Sequence, residues 1–143
     1  MERKIGIEVR NLQNMIMRRM DSIASGSTGA NISAQNVFIL SHLYENQGKD
    51  IFQKDLEKAM AVSRSTCSKV VSLMEEKGLI RREGVKDARF NKIVITEKGT
   101  STIAMVREKV DENETLLKEG LSEEDMRNFY RIIDTMEENI KKG

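Results

Sequence analysis

Two helical stretches joined by three residues, then a glycine and two short β runs, constrain this chain more than any other feature. The first stretch, Gln53 to about Met60, carries Leu56 and Met60 one turn apart on its inner face. The second starts at Ser63, a favourable N-cap, and stops at Gly78, the residue type that takes a left-handed cap without strain. A join as short as Ala61-Val62-Ser63 sets the helices at a steep angle, as in a helix-turn-helix. Leu79–Arg82 and Lys92–Ile95 then read as β runs. Between them Glu83 to Asn91 form a polar turn, long and charged enough to project as a wing.

Both flanks read as helical. Residues 1–24 place Ile5, Val9, Leu12, Ile16 and Ile23 at helical steps, with Arg19 interrupting the seam, and Ser25-Gly26-Ser27-Thr28-Gly29 reads as a loop. Ser33 caps a helix to about Glu45, whose Val37, Phe38, Ile39, Leu40, Leu43 and Tyr44 are too apolar for anything but a central position. Asn46-Gln47-Gly48 ends it. Thr96-Glu97-Lys98-Gly99 opens a long helix with Ile103, Val106, Val110 and Leu117 on one stripe, and Gly120 breaks it. Ser122 caps a last helix with Met126, Phe129, Ile133, Met136 and Ile140 on one face. The expected fold is mainly α with a small β wing, a winged helix-turn-helix core flanked by dimerisation helices. Its expected domains are an N-terminal helix and loop (1–32), the core (33–99) and C-terminal helices (100–143). The apolar stripes exceed what so small a core can cover, so they are expected to bury each other within a chain and across a homodimer. A folded-back monomeric bundle is the alternative.

Composition narrows the function. Aromatics are 4% of the residues, which argues against a stacking platform for single strands. Cys67, the only cysteine, cannot form an internal disulfide. The N-terminus lacks an apolar signal core and no stretch approaches a membrane span, so the cytoplasm is the expected compartment. With no phosphate-binding glycine loop, and with His42 and Cys67 on separate helices, no enzyme, cofactor or metal is expected. His42 reads as a hydrogen-bonded core residue. From Ser63 to Lys92 eight bases face four acids, a net +4, whereas Glu97 to the end carries −4. Such asymmetry fits a chain of which one part meets a polyanion; a solvated basic face is the plainer alternative.

The helix after Ser63 sharpens this. Cys67, Val70, Val71 and Met74 share one face, and Arg64, Ser65, Ser68, Lys69 and Ser72 the opposite one. That outer face holds short hydroxyls and two cations with no acid, groups that donate to phosphates and base edges without filling a major groove. Glu75 and Glu76 are held back to the far end. Val62 and Cys67 are placed to pack as a hydrophobic staple, which makes the thiol structural. In the wing, Arg89 suits the negative potential of a narrow minor groove, with Asp87 placed to hold it. The candidate DNA contacts are Gln53, Lys54, Ser63, Arg64, Ser65, Thr66, Ser68 and Lys69, with Lys86, Asp87 and Arg89 in the wing.

From Ile51 to Gly99 the chain resembles the MarR family of transcriptional regulators. The resemblance is carried by QKDLEKAM, VSRSTCSKVVSLMEEKGLIRRE and DARFNKIVITEKG. It lies in Leu56, the Ser63–Thr66 run, Met74-Glu75-Glu76-Lys77-Gly78-Leu79, and Asp87-Ala88-Arg89 leading to Thr96. Met74 stands where the family has Leu. Phe52 stands where a Ser or Thr cap is common, which leaves packing to hold the start of that helix. The resemblance implies a triangular homodimer made by the terminal helices, with two winged lobes on a pseudo-palindromic double-stranded DNA operator. It also implies a repressor released when a small aromatic or phenolic effector enters a cleft between lobe and dimer region. A winged helix that binds protein instead of DNA is the runner-up; it calls for apolar residues on the outer face of the helix after Ser63.

Overall fold

The computed structural model describes residues 2–28, 32–84 and 90–143, with Ser27 and Thr28 described through their backbone alone. Its elements are α1 (Ile5–Thr28), α2 (Ala34–Glu45), α3 (Gln53–Met60), α4 (Arg64–Glu76), β1 (Ile80–Glu83), β2 (Lys92–Ile95), α5 (Glu97–Lys118) and α6 (Glu123–Lys142). The fold is mainly α with a small β wing, as expected. The chain divides into two units, 1–108 and 109–143.

In the first unit α2 supplies the centre. Ser33 Oγ accepts from Asn36 N (3.2 Å) while Asn36 Oδ1 accepts from Ser33 N (3.3 Å), a reciprocal cap that fixes where the helix starts. From α1, Asp21 Oδ1 accepts from Ala34 N (2.6 Å), a carboxylate at the positive end of α2. Val37, Ile39, Leu40 and Leu43 are buried with Leu56, Val71, Met74, Leu79, Ile80, Ile93, Ile103 and Val106. Burial contributes about 1.5–3 kcal/mol for each large apolar side chain, so this cluster holds the lobe. Phe38 is half-exposed and stacks flat on half-buried His42 (centroids 6.3 Å apart). The two lie on the arc of α2 turned away from the core, so His42 is not the core residue expected.

Two boundaries differ from expectation, and at the start of α3 the means of capping does. α1 continues through Ser25 and Gly26, because Ser25 Oγ donates back to Asp21 O (2.9 Å) and one helical glycine costs only about 1 kcal/mol. β1 begins at Ile80, since Leu79 N still donates to Met74 O (3.1 Å) and Gly78 N to Glu75 O (2.9 Å), closing the end of α4. Gly78 takes φ +75° there. At α3, Phe52 offers no side-chain cap, but Asp55 Oδ2 accepts from Phe52 N (2.8 Å). A carboxylate thus holds the start of α3, a part assigned to packing alone.

β1 and β2 are antiparallel, with Ile80 opposite Ile95 and Glu83 opposite Lys92. A bridge from Phe52 to Lys92 brings the start of α3 to the sheet edge. In the second unit, Ser122 and Asp125 form a capping box (3.0 and 2.9 Å) that starts α6. Met126, Ile133 and Met136 are half-buried, and Phe129, Tyr130, Ile132 and Ile140 are exposed.

Candidate nucleic-acid interface

α4 is anchored on every side but one. At its start Ser63 Oγ accepts from Thr66 N and donates to Thr66 Oγ1, both at 3.1 Å. Its inner face buries Cys67, Val71 and Met74 completely. The Cys67 thiol donates weakly to Gln53 O (3.9 Å), tying α4 to the first turn of α3. Burial, reinforced by the charge of Glu57, pushes that thiol up to about 11. It is a neutral packing group. At the exit of α4, Lys98 Nζ donates to Lys77 O (2.7 Å) and Thr96 Oγ1 to Gly78 O (2.6 Å), satisfying carbonyls the helix leaves over. Ala61, in the join, is held at φ +53°, left-handed for a residue with a side chain.

The side left open is the outer face. Arg64, Ser65, Ser68, Lys69, Ser72 and Leu73 line one depression there. The sheet ties up one acid, Glu75, at its far end. Arg82 N donates to Glu75 Oε2 (3.0 Å), and the Arg82 guanidinium donates to Glu75 Oε1 (3.2 Å) and Ser72 Oγ (3.0 Å). Chiefly through that backbone bond, with the guanidinium adding to it, Glu75 is held below the usual carboxylate range. Glu83 is lowered likewise by its hydrogen bond from Arg81, whose Nη2 lies 2.7 Å away. Lys92 pairs with Asp50 (3.0 Å). Among the described residues, Arg81, Arg82 and Lys92 are thus paired with acids. Arg64 and Lys69 make no ion pair among the described residues, so they are the cations that α4 offers outward.

Of the expected contacts, Arg64, Ser65, Ser68 and Lys69 meet in this depression. Ser63 and Thr66 are exposed at its head but bonded to each other. Lys54 is exposed, its Nζ 5.6 Å from the centre of the Phe90 ring. Gln53 is a correction: it is completely buried, and neither atom of its amide has a partner among the described residues. α3 turns it inward beside the Phe52–Lys92 bridge, so it presents nothing to a duplex. Lys86, Asp87 and Arg89 lie outside the described residues. A second correction concerns Leu73, which adds an apolar group to a face expected to hold none. Its position at the edge of the outer arc was the signal that could have found it.

A helix-turn-helix with an open basic second helix, followed by a two-stranded antiparallel wing, defines a winged-helix protein. Residues 30–89 match the model of the MarR family. It is 23% identical over 130 residues to an HTH-type transcriptional regulator of Bacillus subtilis, YybA, covering 90% of this chain and 85% of that one. Among solved structures it is similar to S. aureus MepR in complex with DNA (TM-score 0.83, 22% identity, 96% of each chain). It is also similar to MarR of Oenococcus oeni PSU-1 (TM-score 0.80, 24% identity, 94% of this chain and 99% of that one). At such identities the structural likeness carries the fold.

Proposed function

We propose that the chain is a DNA-binding transcription regulator that works as a homodimer on a pseudo-palindromic duplex. The observation that carries this reading is the outer face of α4, where Arg64, Ser65, Ser68 and Lys69 share one open depression and the nearest sheet-side acid is tied to Arg82. Each copy lays α4 in a major groove, and Arg89 of the wing is the group suited to the adjacent minor groove. The likeness to a DNA-bound MepR supports it. Leu73 does not favour a protein-binding module, because one apolar side chain among five polar ones in the described lining is not a patch.

Regulation is by release. A cavity of about 380 Å³ is lined by Gln13 and Met17 of α1, Gln35 and Phe38 of α2, and Ala59, Met60 and Val62 around the join to α4. A ligand seated against Val62 bears on the turn that sets the angle of α4. The described lining carries no charged group, so a neutral aromatic compound fits it better than the phenolic anions of the family expectation.

The test is selection of bound duplexes from a random pool, then binding of selected and scrambled DNA over a salt series. Wild type should enrich one two-fold motif. Arg64→Ala and Lys69→Ala should weaken binding, with the affinity-versus-salt slope shallower by about one unit for each phosphate left without its cation. A wild-type protein that enriches no sequence and binds no duplex would overturn the reading.

A further inference from the structure

Among the described residues, Leu73 is the one large apolar side chain lining the depression on α4, and 56% of it is exposed. We propose that Leu73 is a specificity-determining residue that packs against a thymine 5-methyl group in the major groove, an inference that rests on the DNA-binding reading above. The major-groove edge of a base pair offers donors, acceptors and one apolar group, the thymine methyl. Polar neighbours on α4 match the first two kinds. Leu73 matches the third.

Its place along the helix fits. Lys69 and Leu73 are one turn apart, on neighbouring positions of one helix surface. Arg64 and Leu73 are separated by about 13.5 Å of helix rise, close to the roughly 3.4 Å per base pair of four successive steps. The outer face therefore reads from a polar start to an apolar end. Ser72, beside Leu73, already accepts from Arg82, which leaves Leu73 as the uncommitted group at that end. Nothing in the fold is given up when DNA covers it, since the side chain is open in the free protein.

The experiment uses the full chain and the duplex it selects, with each thymine replaced singly by deoxyuracil, which removes the methyl and leaves the hydrogen-bonding edge unchanged. One thymine in each half-site should matter, with wild-type affinity falling roughly fourfold on its replacement, the factor for burying one methyl-sized group. Leu73→Ala should bind the thymine and uracil duplexes alike at that position, and Leu73→Met should retain part of the difference. A wild type that binds its selected duplex but is indifferent to every replacement overturns the inference and leaves the DNA-binding reading standing. So does a Leu73→Ala variant with the full wild-type thymine profile. Failure of the wild type to select or bind any duplex removes the DNA-binding reading and this inference with it.

Discussion

Gln53 shows how one side chain can be misplaced by its surroundings in sequence. It stands among polar residues at a helix start, yet it is sealed in the lobe with its amide Nε2 and Oε1 unpartnered among the described residues. An unsatisfied buried polar group costs about 1–3 kcal/mol, so Gln53→Met, near in volume, should raise stability by a comparable amount in urea denaturation and leave DNA affinity unchanged. A loss of stability instead would reveal that the amide has a partner. Cys67 follows the opposite course, its thiol held neutral by burial and by Glu57. Below its ordinary value the thiol is protonated in folded and unfolded chains alike. As pH rises from there towards about 11 only the unfolded chain ionises, so this contribution to stability falls across that window. Cys67→Ser should remove that pH dependence. Iodoacetamide at pH 8 should label Cys67 only after denaturation, and fast labelling of native protein would contradict its place in the core.

At the scale of elements, the run Thr96-Glu97-Lys98-Gly99 explains how α4 is held. Thr96 Oγ1 accepts from Gly99 N (3.0 Å) to cap α5 while donating to Gly78 O, and Lys98 covers Lys77 O. Gly99 allows the approach itself: a Cβ there would overlap the carbonyl oxygen of Leu79. Gly99→Ala must push α5 off the end of α4, at about 1–3 kcal/mol as in other overpacked sites. A lower melting temperature with weaker DNA binding is the expected outcome, and an unchanged melt would mean that α5 shifts without cost. The misjudged boundaries share a cause. Ser25-Gly26 read as a loop by composition, but a hydroxyl bonded to the preceding turn keeps the helix going.

At the scale of the whole molecule, apolar surface is left uncovered. In the first unit Ile5, Ile7, Val9, Leu12 and Met15 of α1 are exposed, and in the second Leu116, Leu121, Phe129, Tyr130 and Ile140. Surface of this extent in a monomer invites association, and a second copy is the partner that closes with two-fold symmetry. Light scattering at micromolar concentration should report about twice 16.3 kDa. Ile133→Glu should shift the mass towards the monomer, since a charge buried at an interface without a partner is strongly disfavoured. A wild type of monomeric mass would contradict the dimer.

Contacts among near neighbours in the chain were legible before any fold was known. Ser33, Ser63 and Ser122 cap, Gly78 stops α4, and Cys67, Val71 and Met74 form the inner stripe of α4. Each rests on hydrogen bonds or periodicity within a few turns. Only the tertiary structure decided which way α3 turns Gln53, that Phe38 and His42 face out, that Arg82 is taken by Glu75 and Ser72, and that Leu73 stands open in the depression on α4. A two-turn helix such as α3 has too few residues for its period to choose a side, so the strand edge against it chooses. A count of charges likewise cannot tell a free arginine from a paired one, because pairing depends on elements that only the fold brings together.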